Sequence, residues 1–340
     1  MPNRLCLALA SCLALASAAR AADTPAYKPA MSTPLGAPDR WDYVVLDSVG
    51  GRVYVAHGDR VSVVDAKSGA LIGQVEGMPG GTHGIGVSHA TGLGFTDDGK
   101  AGEAIAFDLK TLKVEAHIKA DADADGIVFD KASGHVFVIE GDPAAVQVID
   151  PATKSVIATI AGGGKLEYGV ADGRGHVFIN GEEKHEIVRI DSHANTVEAH
   201  WPMPGCENPH GLAMDAAGHR LFSGCANAVM VVMNSDTGAV IATLPIGKGN
   251  DAMAFDAKRK RVFSSNGADG TISVYQQTSP DAYTALAPVP TAVSGRTMDV
   301  DSETGRLFVA AADTDPSPTP GGRPRPRAGT LRLMMLDPVK

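Results

Sequence analysis

The sequence predicts an all-β fold, a seven-bladed β-propeller with four strands in each blade. A short apolar segment that begins with a polar or charged residue recurs seven times, at intervals of 41, 42, 42, 43, 41 and 45 residues. Repetition with a period in the low forties is typical of radial arrays of blades. Short β-branched runs between turn residues, without an amphipathic helical pattern, indicate strands throughout the chain.

We call the first residue of each segment an opening residue and the residue five positions later a closing residue. The opening residues are Asp42, His83, Asp125, Glu167, His210, Asp251 and Arg296. The closing residues are Asp47, Ser88, Asp130, Asp172, Asp215, Asp256 and Asp301. The first strand of a propeller blade runs along the central channel, so we expect the opening residues to form one ring near one face.

Residues 1–22 are predicted to be a secretory signal peptide. Arg4 gives a weakly positive start, residues 5–18 are largely apolar, and Ala19-Arg20-Ala21 offers a small-residue cleavage site. The segment around Cys12 also resembles a lipoprotein box, but the residues after it remain apolar, which favours an ordinary signal. We therefore expect a periplasmic or secreted protein whose domain, residues 23–340, contains no membrane span.

Charge and cysteine usage fit this placement. The formal net charge is −9, and removal of residues 1–22 takes away Arg4 and Arg20 but no acidic residue. Such an acidic chain lacks the basic footprint of nucleic-acid binding. Only Cys206 and Cys225 remain after the signal is removed. In an oxidising compartment they are predicted to form a disulfide, which would brace the channel face beside His210.

The strands of one blade are clearest in the second repeat, at residues 84–87, 92–96, 103–108 and 113–118. The last repeat is incomplete, because its third strand, residues 330–336, ends the pattern. Residues 26–35 precede the first repeat and are predicted to supply the outer strand of the seventh blade, which closes the ring and removes exposed edges. Residues 311–329 are rich in Pro and Arg and are expected to form an extended, mobile loop without ladder hydrogen bonds.

The predicted ring combines two imidazoles, four carboxylates and one guanidinium. Mixed histidine and carboxylate ligands suit divalent transition metals, whereas carboxylates alone favour calcium or magnesium. We therefore predict a divalent metal held by His83, His210 and Asp125. The alternative is a wet polar channel whose side chains only bind water and cap strands.

The other opening residues have predicted roles in chemistry and recognition. Crowded carboxylates raise one another's pKa, so Glu167 and Asp251 are candidates for proton transfer. Asp42 and Arg296 are candidate ligand-binding residues, and Arg296 could hold a substrate carboxylate in a two-pronged contact. The sequence contains no serine-hydrolase elbow, phosphate loop, dinucleotide fingerprint or zinc-protease motif.

The histidines that follow no shared register are expected at the surface. They are His57, His89, His117, His185, His193, His200 and His219.

Several stretches are distinctive in combination. They are Arg40-Trp41-Asp42-Tyr43, Arg220-Leu221-Phe222-Ser223-Gly224-Cys225, Leu244-Pro245-Ile246-Gly247-Lys248-Gly249-Asn250-Asp251, Ser264-Ser265-Asn266-Gly267, Gly270-Thr271-Ile272-Ser273-Val274 and Gly295-Arg296-Thr297-Met298. Together they resemble the periplasmic YncE-like, or YVTN-repeat, propeller proteins over about residues 26–336. The resemblance implies a fold shared with streptogramin lyases, lactonases and non-catalytic binding proteins, so it does not select one activity.

The sequence therefore predicts a monomeric periplasmic propeller that binds a small ligand, together with a divalent metal, at the mouth of its channel. If it is an enzyme, it is a metal-dependent, non-redox lyase or hydrolase such as a lactonase. The alternative is a non-catalytic binding or scaffold protein that uses the same face for a macromolecular partner.

Overall fold

A computed structural model describes residues 26–317, 319 and 324–339, and it confirms the seven-bladed, all-β propeller. No helix occurs among these residues, and so none has the length and hydropathy that a membrane span needs. The predicted signal peptide, with Cys12, lies outside the described residues.

The strands follow one another in chain order. The first blades contain β1 (Tyr27–Pro34), β2 (Val44–Asp47), β3 (Arg52–His57), β4 (Arg60–Asp65), β5 (Leu71–Glu76), β6 (Ile85–Ser88), β7 (Leu93–Asp98), β8 (Glu103–Asp108), β9 (Val114–Lys119) and β10 (Ala124–Asp130). The next are β11 (His135–Glu140), β12 (Ala145–Asp150), β13 (Ser155–Ala161), β14 (Leu166–Ala171), β15 (His176–Gly181), β16 (Glu186–Asp191), β17 (Thr196–Pro202), β18 (Pro209–Asp215), β19 (Arg220–Cys225), β20 (Val229–Asn234) and β21 (Val240–Pro245). The last are β22 (Asn250–Asp256), β23 (Arg261–Asn266), β24 (Thr271–Ser279), β25 (Ala282–Ala285), β26 (Val289–Pro290), β27 (Thr297–Val300), β28 (Leu307–Ala311), β29 (Thr314–Asp315), β30 (Arg325–Pro326) and β31 (Arg332–Pro338).

Consecutive groups of four strands, from β2–β5 to β22–β25, form the first six blades as antiparallel sheets. The seventh blade has the order β1-β31-β28-β27, so the N-terminal strand lies outermost and pairs with the C-terminal strand. Tyr27 faces Pro338 at one end of this pairing, and Pro34 faces Arg332 at the other. The predicted ring closure by residues 26–35 is thus confirmed.

The hydrophobic core is divided into seven clusters, and each lies between two neighbouring blades. The cluster of blades one and two, for example, joins Tyr54 and Val61 to Ile85 and Phe107. One fully buried aromatic ring occupies the second strand of every blade, 11 or 12 positions after the opening residue. These rings are Tyr54, Phe95, Phe137, Phe178, Phe222, Phe263 and Phe308. Each blade therefore depends on its neighbours to bury its apolar faces.

The closing aspartates are turn acceptors. Asp130 is fully buried and accepts hydrogen bonds from the backbone N–H groups of Ala132 and Ser133, at 3.2 and 2.9 Å. It also accepts one from Ser192 Oγ of the next blade, at 2.6 Å. The constant spacing between opening and closing residues thus reflects a requirement of the first hairpin, because the N–H groups of the turn need an acceptor.

Residues 311–329 differ from the sequence-based expectation, since they contain the short ladder β29–β30. The ladder pairs Thr314 with Pro326 and Asp315 with Arg325. Such a short ladder needs few N–H donors, so the missing proline N–H is tolerated. The ion pair between Arg327 and Asp315, at 2.8 Å, holds the two arms together.

Replacing Asp130 with Ala is expected to lower the free energy of unfolding by about 1–3 kcal/mol, because buried donors of the turn and of Ser192 lose their acceptor. Asp150 is a matched control, since it accepts the N–H of Ala152 at 2.8 Å in an exposed turn, and Asp150→Ala should cost less. Chemical denaturation midpoints would measure both variants. Equal losses would contradict the inter-blade role of Asp130.

Candidate functional site

The opening residues stand at positions where the inner strands leave the regular ladder. In blades three to six the pairing between the first and second strands shifts in register at the opening residue. In blade five, for example, Pro209 faces Cys225 and Leu212 faces Ser223, and the shift lies between these two pairs. In blades one, two and seven the inner strand begins only after the opening residue. Bulges and strand ends turn side chains away from the sheet, and here they turn them towards the channel.

Close packing of the inner strands depends on the glycines that follow both histidines. A Cβ on Gly84 would lie 2.4 Å from the backbone nitrogen of Ile127, and one on Gly211 would lie 2.6 Å from that of Met253. Only glycine allows neighbouring inner strands to approach so closely. The side-chain amide of Asn180 donates to the carbonyl oxygen of His210, at 2.8 Å, and so fixes this bulge from the preceding blade.

The ring groups six of its side chains into two triads of possible metal ligands. Within each triad the ligand atoms all lie within 4.8 Å of one another. The triads are Asp42–His83–Asp125 and Glu167–His210–Asp251. The seventh opening residue, Arg296, lies between them. The structure thus places His83 and His210 in separate groups, and the prediction that both bind one metal stays a prediction.

The triad of His210 is the more open one. Nδ1 of His210 donates to Oε1 of Glu167, at 3.4 Å, and this contact is the main reason that the pKa of His210 is raised. Burial raises the pKa of Glu167, although His210 opposes that shift. The described residues provide no hydrogen-bond partner for Nε2 of His210, which leaves one ring nitrogen for a ligand.

Both ring nitrogens of His83 are engaged. Nδ1 contacts Oδ2 of Asp97 at 2.7 Å, and Nη2 of Arg40 lies 3.2 Å from Nε2. Asp97 is fully buried and also accepts the backbone N–H groups of His83 and Gly84, both at 2.8 Å. A carboxylate behind an imidazole fixes the ring orientation and tautomer, as it does behind metal-binding histidines.

Burial alone would lower the pKa of His83, but Asp97, Asp42 and Asp125 together raise it to about 9. A protonated ring has no lone pair at Nε2 and repels a guanidinium. The hydrogen bond from Arg40 therefore belongs to the neutral ring, and protonation of His83 disfavours this position of Arg40.

Arg296 is the counter-charge between the triads. Its Nη1 donates to Oδ2 of Asp251 at 2.7 Å, and its Nη2 donates to the carbonyl oxygen of Trp41 at 2.5 Å. Oδ2 of Asp42 is 3.9 Å from Nη2. The guanidinium also lies over the Trp41 ring, 5.8 Å from its centre. These contacts hold the guanidinium in a fixed plane.

The remaining carboxylates are crowded enough to resist ionisation. Burial raises the pKa of Asp42 to about 6, even though Arg296 opposes the shift. The pKa of Asp125 is raised well above its usual range by burial, and the charges of Glu167 and Asp42 raise it further. The ring therefore favours the binding of protons or of a cation at neutral pH.

Two tyrosines meet across the channel beside the ring. Tyr43 and Tyr168 follow Asp42 and Glu167 in blades one and four, and their rings meet edge to face with centres 4.5 Å apart. Beyond them is a smaller cavity of about 170 Å³, which Asp299 also lines. Oδ2 of Asp299 accepts the backbone N–H of Leu46 at 2.8 Å, so this acid stabilises the inner strands.

Above the ring lies a cavity of about 560 Å³, at the end of the channel that we call the mouth. Its lining includes Glu167, His210, Asp251 and Arg296 from the ring, together with Arg40, Trp41, Val293, Thr314, Pro324 and Pro326. The last three belong to the segment 311–329, which therefore forms one wall. The disulfide between Cys206 and Cys225 is present, with its Cα atoms 5.4 Å apart, and braces the start of β18 beside His210.

Arg40, Asp97, Tyr43 and Tyr168 belong to this site but are not among the site residues predicted from the sequence. Tyr43 and Tyr168 occupy the same position after their opening residues, so the repeat register contained their signal. Arg40 and Asp97 lie outside that register. The expected surface placement of His57 is wrong, because its imidazole is buried and contacts Ser62 Oγ and the Pro38 carbonyl oxygen at 2.8 and 2.7 Å.

Comparisons with solved structures support the fold. Hydrazine synthase of Kuenenia stuttgartiensis is 13% identical, with a TM-score of 0.69 over 79% of this chain and 91% of that one. The WD40 repeats of RRP9 are 11% identical, with a TM-score of 0.75 over 92% and 100% of the two chains. A chain of the mitotic checkpoint complex is 15% identical, with a TM-score of 0.71 over 98% and 99%.

At these identities the likenesses show the propeller fold alone. No family model matches the sequence, and no curated protein is detectably similar to it. The YncE-like resemblance therefore stays a prediction.

The crowding of the ring predicts a pH-dependent effect of Asp125→Asn on stability. The native carboxyl has a raised pKa, so its ionisation destabilises the folded state increasingly as the pH rises above the unfolded pKa. With a chelator present, the variant should therefore be more stable than the parent at pH 8, by about 1 kcal/mol, and similar to it at pH 4. Thermal unfolding across this pH range measures the difference.

Asp150→Asn is the control with the opposite sign. The N–H of Ala152 lowers the pKa of Asp150, so this acid stabilises the fold above its unfolded pKa, and the variant should lose stability at pH 8. An Asp125→Asn protein that is less stable than its parent at pH 8 would refute the crowding argument.

Proposed function

We propose that this exported propeller binds a small ligand, together with a divalent metal ion, in the cavity at its mouth. The observation that carries the proposal is the triad Glu167–His210–Asp251, which combines an imidazole with two carboxylates in the floor of a cavity of about 560 Å³. Small-molecule sites are typically cavities of this size with a few convergent polar groups. The Cys206–Cys225 disulfide supports export, because disulfides persist in oxidising compartments.

The donor set fits a borderline divalent metal such as zinc or manganese. One neutral imidazole and two carboxylates match the ligand preference of such ions, and they leave coordination positions for a ligand. His210 would bind through Nε2, while the carboxylate oxygens of Glu167 and Asp251 would complete the set. The triad of His83 is the second place where a cation could bind, after displacement of Arg40.

The catalytic form of this proposal is a non-redox lyase or hydrolase, such as a lactonase. A bound metal would polarise an oxygen of the substrate. Whichever of Glu167 and Asp251 does not bind the metal would transfer a proton, since both line the cavity and burial raises the pKa of Glu167. The alternative, a non-catalytic binding or scaffold protein that uses the same face for a macromolecule, requires no metal.

Metal binding tests the proposal. The purified protein, stripped with chelator and titrated with Zn²⁺ by calorimetry, is expected to bind the ion, and His210→Ala should weaken binding by at least about tenfold. His83→Ala reports on the second triad, and the exposed His219, paired with Asp236, supplies the control His219→Ala. Equal affinity of His210→Ala and the parent, or no binding by the parent, would refute the metal site.

The pH dependence gives a second measurement. A metal needs the unprotonated nitrogen, so binding must release the proton that Glu167 stabilises on His210. Zinc affinity should therefore increase with pH, and the increase should continue above the usual histidine pKa of about 6.5. Calorimetry in two buffers of different ionisation enthalpy counts the released protons. An affinity that is constant between pH 6 and pH 8 would contradict ligation by His210.

A further inference from the structure

The mouth contains two arginines beside the acidic ring, and this combination points to the class of the ligand. Arg40 and Arg296 flank Trp41, and all three residues line the same cavity. Arg40 has no carboxylate partner among the residues that the structure describes; its one side-chain contact there is to Nε2 of His83. An arginine in an acidic mouth that is not paired with an acid is free to bind an anion.

Arg296 complements it as a rigid group. Asp251 and the Trp41 carbonyl oxygen use two of its five N–H donors, and they fix the plane of the guanidinium. Its remaining N–H donors, together with those of Arg40, are therefore available to an oxyanion at the mouth.

The charge balance distinguishes the type of anion. With His83 paired to Asp97, the four ring carboxylates of Asp42, Asp125, Glu167 and Asp251 outnumber the two guanidinium groups unless a divalent cation or protons bind. These acids repel a doubly charged phosphate about twice as strongly as a singly charged carboxylate at the same place, so a carboxylate fits the mouth better. The planar guanidinium also matches the two oxygens of a carboxylate.

Part of the wall is apolar. Val293, Pro324, Pro326 and Trp41 face the same cavity as the arginines. Such a wall adds contact with the hydrocarbon part of a ligand and excludes water from the charged contacts. The cavity thus fits a molecule that has one anionic end and one apolar body.

We propose that the ligand is a small carboxylic acid with an apolar body, whose carboxylate is held by Arg40 and Arg296 beside the metal triad. This inference rests on the proposed function for the position of the metal, but the arginine contacts do not require the metal. Arg40 is a binding residue in this scheme, because its side chain is exposed and lines the cavity.

The experiment compares three phenyl probes of similar size on the full mature chain, with and without Zn²⁺. Phenylacetate carries the carboxylate, phenylacetamide is its neutral counterpart, and phenyl phosphate carries the doubly charged group. Ligand-observed NMR titration detects the weak binding expected of such small probes. We expect phenylacetate to bind at least about tenfold more tightly than phenylacetamide and more tightly than phenyl phosphate.

Arg40→Gln should reduce phenylacetate affinity to that of phenylacetamide and leave zinc affinity within about threefold of the parent. Arg296→Lys keeps the charge but removes the fork, so it should weaken phenylacetate binding less than Arg40→Gln does. The control is Arg174→Gln, because Arg174 is an exposed arginine in the turn between β14 and β15 that does not line the cavity, and this variant should bind the probes and zinc like the parent.

The outcomes separate this inference from the metal proposal. Arginine-dependent binding of phenylacetate without any zinc binding would uphold the carboxylate site and refute the metal. Normal zinc binding with equal or absent binding of phenylacetate and phenylacetamide would overturn the carboxylate site and leave the metal proposal intact. Tighter binding of phenyl phosphate, or phenylacetate binding that survives Arg40→Gln, would also overturn the inference.

Discussion

Burial of apolar surface between neighbouring blades is the interaction on which the rest of this structure depends. Each of the seven core clusters joins two blades. The second strand of each blade contributes one buried aromatic ring to these clusters. A single blade would expose both of its apolar faces to water. An open row of blades would still expose one apolar face at each end. Closure by β1 and β31 therefore completes the last interface as well as the last sheet. Because the blades must meet around one axis, their first residues converge whatever charges they carry.

Because of that convergence, the charged residues at the mouth lower the stability of the fold. Four carboxylates are held together although burial and mutual repulsion raise the pKa of Asp42, Asp125 and Glu167. Arg296, His83 and His210 offset this repulsion only in part. The closing aspartates show the contrast, since similar side chains there accept hydrogen bonds and stabilise turns. Neighbouring charged groups that destabilise the fold are typical of binding sites, where some stability is given up for function.

Much of the architecture could be predicted because the same strand pattern recurs seven times in the sequence. The period predicted the blades and the ring, and the unpartnered segment 26–35 predicted the closure. Contacts between residues at different positions of the repeat could not be predicted in this way. Asp97 lies on the second strand of its blade and contacts His83 because the hairpin brings the two strands together. His57 is buried because the loop that contains Pro38 packs against it. Arg40 precedes the first inner strand, where no repeat defines a position. Composition also misled at 311–329, since an ion pair supports a ladder that prolines disfavour.

The contact between Tyr43 and Tyr168 joins two blades that are not neighbours. Tyr43 belongs to blade one and Tyr168 to blade four, which stand on nearly opposite sides of a seven-bladed ring. The seven core clusters join neighbouring blades only. The aromatic pair therefore links the ring directly across its channel, so a displacement of blade one can be felt by blade four without passing through the blades between them.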